Sequence, residues 1–347
     1  MAGNNGRKKI DAAELVKFLA KGRTLEEVSR KFSIPPNKVA ELVLKAPEGF
    51  EIFRQRNSFN EVILRALEIP KAPEIKPRLW SHRIQPDGQP YLWVHFPDGL
   101  PWEKIKVVPL FDTHYGSEGC DEEKLDEYID WIRKNDNVFA FMGGDMVENA
   151  HADSPGTSIF HQVMRPKRQI LKFEDKLRPI AHKILFGLPG GHEFRSIKKV
   201  DIDPLWIICR DLGIPYFSQP AFVNIIWNSF VFNFYIHHGE THSSTPGGRL
   251  NAAIKPASFT EFIMFYVMGH VHDEDVNPVT RICRERKFSK EGKLVEFRLV
   301  EKQQYIIIAP AFYKYWGTYG AERGYAPPST GAVACVLYAN GNYDVSI

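Results

Sequence analysis

The chain has 347 residues, of which 44% are hydrophobic and 25% charged, and its formal net charge is +3. This length is sufficient for one large domain or two, and the composition excludes collagen-like, disordered and membrane proteins. No apolar run approaches the roughly 18 residues of a membrane span, and the polar, basic start resembles no signal peptide. We therefore expect a protein of the cytoplasm that does not bind membranes.

The N-terminal part of the chain predicts short helices followed by a hairpin. Residues 1–72 hold 14 Lys or Arg and 9 Asp or Glu, so the basic excess lies here. Thr24 followed by Glu27 is the signature of a capping box. The expected elements are helices over 11–21, about 25–31 and about 37–45, then strands over 50–53 and 59–64. Residues 1–68 therefore resemble a winged helix-turn-helix domain.

A domain of this kind places its third helix in the DNA major groove and its wing on the phosphates. Arg54 and Arg56 lie at the tip of the expected hairpin and favour this interpretation. Glu41 and Glu48 flank the expected recognition helix, which leaves a protein-docking domain as the alternative. Residues 69–103 are predicted to be a proline-containing linker and a lead-in hairpin.

Residues 104–347 alternate short apolar runs with helical patterns, so we predict an α/β domain with added antiparallel strands. Strands are expected over 104–110, 138–142, 184–188, 222–227, 230–237, 265–268, 295–300, 304–308 and 331–338. Helices are expected over 121–134, about 159–183 and about 203–212.

Five of these strands run directly into Asp or His residues beside glycines. The segments are Asp112-Thr113-His114, Gly144-Asp145, Gly190-Gly191-His192-Glu193, His238-Gly239 and Gly269-His270-Val271-His272. Open α/β sheets place their sites at the carboxyl ends of strands. A set of imidazole and carboxylate ligands without thiolate suits Mn²⁺, Fe, Co, Ni or Zn²⁺. The sequence therefore predicts a metal site at one sheet edge.

In this order the five segments resemble the motifs of calcineurin-like metallophosphoesterases, over about residues 104–310. The resemblance implies a four-layer αββα sandwich with two divalent metal ions, Mn²⁺ foremost, and a bridging hydroxide nucleophile. It assigns Asp112, His114 and His272 to the first metal, His238 and His270 to the second, and Asp145 to both. His192 becomes the general acid, oriented by Glu193 or by a backbone group.

The chain departs from the family pattern at Gly191, where the family usually has an Asn that ligates the second metal. Glycine offers no ligand, so the second site is expected to be weak. Asn149 is a possible replacement if its loop folds back. Arg165, Lys167, Arg168 and Arg195 are candidates for binding substrate phosphate, and the aromatic residues between 312 and 325 for stacking on bases.

The resulting hypothesis is a metal-dependent phosphodiester hydrolase, a nuclease brought to DNA by its N-terminal domain and related to phage and prokaryotic DNA-repair nucleases. The motifs equally allow a phosphomonoesterase or a protein phosphatase. A third hypothesis is a DNA-binding or scaffold protein with a degenerate core, which Gly191 permits. The sequence does not determine the oligomeric state.

Overall fold

The chain divides into two compact units, Met1–Pro73 and Glu74–Ile347. The computed structural model describes residues 11–35, 38–39, 50–56, 61–68, 74–85, 89–152, 154, 158–241, 243, 245–289, 291–322, 324 and 326–346.

The first unit contains two helices and a small antiparallel sheet in the order β1-β3-β2. Its elements are α1 (Ala12–Leu19), β1 (Arg23–Thr24), α2 (Leu25–Phe32), β2 (Phe50–Arg56) and β3 (Val62–Glu68). Asp11 caps α1, and the capping box of Thr24 and Glu27 starts α2, as predicted. A small core that includes Leu19, Val28 and Leu64 holds these elements together.

Both strands of the predicted hairpin are longer than the sequence indicated. The predicted third helix lies outside the described residues except for Lys38 and Val39, and so do positions 57–60 of the hairpin tip. The described parts of this unit are therefore two of the three predicted helices and the hairpin strands.

The second unit is mixed α/β and contains two sheets. The five-stranded sheet has the order β15-β14-β6-β7-β8, and the seven-stranded sheet has the order β12-β13-β11-β10-β9-β5-β4. The strands are β4 (Ser81–Ile84), β5 (Tyr91–His95), β6 (Lys104–Leu110), β7 (Val138–Met142), β8 (Ile184–Gly187), β9 (Ala221–Trp227), β10 (Phe230–His237), β11 (Phe265–Met268), β12 (Asp275–Phe288), β13 (Leu294–Ile308), β14 (Ala334–Tyr338) and β15 (Tyr343–Ser346).

Helices connect most of these strands. They are α3 (Glu122–Lys134), α4 (Pro166–Leu177), α5 (Gly191–Val200), α6 (Pro204–Asp211), α7 (Pro246–Ile254) and α8 (Tyr319–Glu322), with 3₁₀ turns at Ser158–His161, Arg178–Lys183 and Lys255–Ser258. The predicted helical region 159–183 is thus α4 flanked by two 3₁₀ turns. Among the described residues, no helix combines the length and the apolar character that a membrane crossing needs.

Three apolar clusters organise the second unit. The largest takes side chains from both sheets, including Phe139 of β7 and Phe234 of β10. A second cluster joins the five-stranded sheet to α3, α4 and α6, with Leu125 and Phe173 among its members. A third joins β10, β11 and β13 to α7. Each sheet therefore buries side chains on both of its faces.

The long hairpin of the seven-stranded sheet differs from the prediction. Residues 295–300 and 304–308 were predicted as two strands, but they lie in one strand, β13, which pairs along its whole length with β12. No strand was predicted at β12, because charged residues occupy both of its faces and hide the apolar alternation. The lead-in hairpin β4–β5 pairs with β9 and forms one edge of the same sheet.

Candidate metal centre

The ends of parallel strands from both sheets meet at one place. Strands β6, β7 and β8 are mutually parallel in one sheet, and β10 is parallel to β11 in the other. Carboxyl ends of parallel strands lie at the same sheet edge. All six predicted ligands leave these ends and come together there: Asp112, His114, Asp145, His238, His270 and His272.

Three groups of side chains have ligand atoms within 4.8 Å of one another. They are Asp112 with His114 and His272, Asp145 with His238 and His270, and His114 with Asp145 and His192. The first two match the two sets assigned from the sequence. The third joins them, because it shares a residue with each.

Asp112 lies at the buried end of β6. Its Oδ2 accepts a hydrogen bond from the His270 backbone N–H at 2.8 Å. Its Oδ1 is buried without a hydrogen-bond partner, 3.5 Å from His272 Nε2. Burial alone would raise the pKa of Asp112, but the imidazole of His272 close to Oδ1 outweighs it, so the pKa is lowered. Asp112 is therefore an ionised carboxylate with a free oxygen facing the cluster.

Two imidazoles of the first group face each other with their Nε2 atoms 3.0 Å apart, those of His114 and His272. Two neutral rings can share such a contact only if one of them turns an N–H toward the other. A cation between them would instead accept both lone pairs, which is the usual arrangement of histidine ligands.

Asp145 and His238 form the core of the second group. Oδ2 of Asp145 lies 3.2 Å from His238 Nε2. The other ring nitrogen of His238, Nδ1, donates to the Gly143 carbonyl at 3.0 Å, which fixes Nε2 as the nitrogen that faces the cluster. Burial would lower the pKa of His238, but the negative charge of Asp145 raises it to about 10. The site thus strongly favours positive charge at this position.

The backbone around the cluster has a rarely adopted conformation. Five of the six candidate ligands have positive φ, between 43° and 72°: Asp112, His114, Asp145, His270 and His272. Such residues cost on the order of 1–3 kcal/mol each, and they occur where the surrounding structure fixes them, most often at functional sites. The turns after three different strands are therefore shaped to direct these side chains inward.

Glu193 holds the turn that carries Asp145. Its Oε2 accepts from the backbone N–H groups of Asp145 and Gly190, and its Oε1 from those of Met146 and Val147. Glu193 therefore does not orient His192, one of the two options that the sequence left open. That orientation comes from a backbone group, the Glu148 carbonyl, which accepts from His192 Nδ1 at 2.7 Å.

Glu148, which the sequence did not indicate, is a buried carboxylate that contacts several cluster residues. It lies 3.2 Å from His114 Nδ1 and 3.6 Å from both His192 Nδ1 and Arg195 Nη1. Burial would raise the pKa of Glu148, but the imidazole of His114 at this distance outweighs it and lowers the pKa. The sequence signal that could have indicated Glu148 is its position three residues after Asp145, in the turn that follows a strand.

The charge balance of the cluster fits bound cations. Three buried carboxylates face the cluster, those of Asp112, Asp145 and Glu148. The fourth, that of Glu193, accepts from backbone N–H groups, and burial raises its pKa to about 7. Arg195 is the one Arg or Lys with a described contact to them. Buried anions without compensating charge are very costly. One or two divalent ions on the imidazole and carboxylate atoms would balance them, so the residues fit the implied metals.

Asn149 does not replace the missing family ligand. Its Nδ2 donates to the His192 carbonyl at 2.8 Å, and its Oδ1 accepts from Ser196 Oγ at 3.0 Å. Both ends of the amide are thus engaged away from Asp145. The second group keeps Asp145, His238 and His270 as its side-chain ligands among the described residues.

Gly191→Asn should tighten binding of the second metal by about 10–100-fold. A Cβ built at Gly191 would meet only Asp145 Oδ1, at 3.8 Å, so the larger side chain has room. Titration calorimetry with Mn²⁺ measures the effect. Gly191→Ala is the matched control, since it makes the same backbone change without an amide and should leave the affinity unchanged. Equal affinities in both variants would contradict the ligand assignment.

Of the residues predicted to contact substrate, Arg195 and Tyr313 lie beside the cluster. Arg195 Nη2 lies 2.7 Å from His192 Nε2, so this arginine is beside the cluster. Arg165, Lys167 and Arg168 lie exposed at the start of α4. In the aromatic segment, Tyr313 packs 5.2 Å from the His114 ring, Trp316 is largely exposed, and Tyr325 lies outside the described residues.

Comparison with models of known protein families and with curated proteins finds no match for this chain.

Proposed function

We propose that the protein is a metal-dependent phosphodiester hydrolase that acts on DNA. The observation that carries the proposal is the convergence of two Asp and His groups, linked through Asp145 and His114, at the ends of strands from both sheets. Enzymes that hydrolyse phosphoesters with two metals need such paired sites, in which metals about 3.5–4 Å apart stabilise the attacking oxygen and the leaving oxygen.

We interpret the second unit as a four-layer αββα sandwich. Support comes from the cluster shared by the two sheets and from the helices that pack on the outer face of each. We interpret the first unit as a winged helix. Support comes from the order of its elements, because β1 lies between α1 and α2 and the paired strands β2 and β3, which would form the wing, follow both helices.

The metals, once bound, supply activation of water and neutralisation of charge on the phosphate. The chain's own residues then position and protonate the substrate. The His192 ring lies 4.3 Å from the His114 ring, and its Nε2 lies 3.8 Å from Asp145 Oδ2. With Nδ1 donating to the Glu148 carbonyl, Nε2 is the nitrogen that faces the cluster. Burial lowers the pKa of His192 to about 4, so its ring is neutral here and must first take up a proton, which the negative charge of a bound phosphate favours, before Nε2 gives that proton to the leaving oxygen.

Arg195 is placed to bind the phosphate beside His192. Its guanidinium lies within hydrogen-bond distance of His192 Nε2, and the carboxylate of Glu148 lies 3.6 Å from Nη1 of the same guanidinium. A phosphate oxygen is a better acceptor for an arginine than an imidazole nitrogen is, because the bond joins opposite charges. We infer that bound substrate takes over the guanidinium and frees His192 Nε2 for proton transfer.

Hydrolysis of bis-p-nitrophenyl phosphate, compared with p-nitrophenyl phosphate, tests the reaction class. We expect turnover of the diester with Mn²⁺ supplied, loss of turnover after chelation, and a lower kcat/KM for the monoester. A clear monoester preference would support a phosphomonoesterase or protein phosphatase instead. No hydrolysis of either substrate with Mn²⁺, Ni²⁺, Co²⁺ or Zn²⁺ in excess would support the DNA-binding or scaffold alternative.

A further inference from the structure

A two-stranded arm projects from the seven-stranded sheet. β12 pairs only with β13 in the described sheet, and β11 pairs with β13 only between Tyr305 and Ile308. Beyond that point the two strands continue from Arg281, paired with Lys302, to Phe288, paired with Leu294. We call residues 281–302 the arm. At about 3.4 Å per residue it extends about 25 Å.

One face of the arm carries ion pairs between its strands. Side chains of paired residues lie on the same face of a strand pair, and every second residue returns to it. On this face Glu285 binds Arg298 at 2.8 Å and Lys302 at 3.0 Å. Lys287 lies 4.0 Å from Glu296. This face carries four basic side chains, Arg281, Lys287, Arg298 and Lys302, and both of its acidic side chains are held in ion pairs.

The opposite face combines exposed apolar groups with two arginines and one acidic residue, Glu301, which is the cross-strand partner of Ile282. Ile282 and Leu299 are each 74% exposed, and Phe297 is 51% exposed. Arg284 lies with its guanidinium 5.4 Å over the Phe297 ring, and Arg286 is the cross-strand partner of that residue. In the described part of the chain neither arginine has a carboxylate within ion-pair distance. The name arginine face is used below for five residues: Ile282, Arg284, Arg286, Phe297 and Leu299.

The charge of the arm contrasts with that of its domain. The arm holds eight Lys or Arg and four Glu, whereas residues 74–347 as a whole hold 31 Lys or Arg and 33 Asp or Glu. The arm is therefore a positive projection on a domain that is otherwise negative. Two such arms would repel each other, which disfavours a second copy of the chain as the occupant of the arginine face.

We propose that the arginine face of the arm binds double-stranded DNA. A two-stranded ribbon fits the major groove of B-DNA, where arginine binds guanine edges or phosphates and apolar side chains contact thymine methyl groups. A duplex of A-form RNA offers a groove too narrow for side chains to read. This inference rests on the proposed function for its choice of DNA. It deepens that function by assigning the surface that retains the substrate.

The arm is separated from the reacting groups. Asp275, the first residue of β12, pairs with Ile308 at the edge where the metal ligands lie, and the arm leaves the opposite edge. The 14 residues of β12 span about 45 Å from one end to the other. The arm therefore contributes to DNA affinity and not to the chemical step, which allows the two to be tested separately.

Anisotropy of a fluorescent 30-bp duplex in EDTA measures binding by the full chain without cleavage. We expect Arg284→Gln combined with Arg286→Gln to weaken binding about tenfold and to lower the slope of log K against log salt by about 2. The matched control is Arg298→Gln with Lys302→Gln, which removes the same charge from the ion-paired face and should change affinity less than threefold. Hydrolysis of bis-p-nitrophenyl phosphate should be unchanged in both variants.

Three results would overturn the proposal. Equal losses in the two double variants would indicate non-specific attraction, and no loss in either would remove the arm from DNA binding. If light scattering shows a dimer that Phe297→Ala converts to monomers while DNA affinity stays at wild type, the face is a protein interface. Diester hydrolysis without arm-dependent binding would refute this inference alone. Arm-dependent binding without hydrolysis would refute only the proposed function.

Discussion

Asp145→Asn should abolish high-affinity binding of metal at one site or both and reduce kcat/KM for a diester by about 10³-fold. The substitution keeps the shape of the side chain but removes the charge that faces His238 and His192. Burial alone would raise the pKa of Asp145, but the charge of His238 outweighs it and holds the pKa well below its usual value. Metal coordination supplies several kcal/mol of transition-state stabilisation, which corresponds to such a factor.

Metal-dependent thermal stabilisation separates loss of binding from loss of chemistry in this variant. A ligand that binds the folded state stabilises it by RT ln(1 + [L]/Kd), so a given Mn²⁺ concentration should raise Tm of the wild type and raise Tm of Asp145→Asn much less. Asp130→Asn is the control, since Asp130 is an exposed carboxylate that pairs with Arg133 on α3. Wild-type metal stoichiometry and turnover in Asp145→Asn would disprove the proposed metal centre.

His192→Gln should lower kcat by about 10²–10⁴-fold and leave the affinity for metal close to that of the wild type. The ring of His192 is held by the Glu148 carbonyl through Nδ1, and its Nε2 contacts Arg195. Glutamine can reach the same region but cannot transfer a proton. Steady-state kinetics with metal in excess, together with calorimetric titration of the metal, measure the two quantities separately.

The leaving group gives a sharper test of the role of His192. A diester with a poor leaving group depends more on protonation than bis-p-nitrophenyl phosphate does, so the loss should be larger on DNA than on the activated substrate. His161→Gln is the matched control, because His161 pairs with Glu118 outside the three metal groups. A parallel loss of metal affinity in His192→Gln would instead make His192 a ligand in its group with His114 and Asp145.

Much of the second unit was predictable because its signals are local. The strands over 104–110, 138–142, 230–237 and 265–268 occur where apolar runs end at Asp, His or Gly. A short-range capping box also predicted the start of α2. The same pattern predicted that Asp and His residues gather at the sheet edge, since a residue that ends a parallel strand has a defined place there. The choice of six of them as ligands came from the resemblance to metallophosphoesterases.

Contacts between distant segments were not predictable in this way. Glu193 binds the backbone of the turn at Asp145, 48 residues earlier, and Asn149 binds the His192 carbonyl, 43 residues later. The arm was missed for a related reason, because its strand β12 buries little and so shows no apolar alternation.

The sequence by itself determined the kind of site and its place at the ends of the strands, since residue type fixes which atoms can bind a metal and strand order fixes where they project. The tertiary structure decided which carboxylates face cations, with Asp112 and Asp145 aimed at imidazoles while Glu193 is used on backbone N–H groups. It also decided that Glu148 joins His114, His192 and Arg195. The physical reason is that a buried charge takes its role from whichever partners the fold brings within about 4 Å, and spacing along the chain does not encode them.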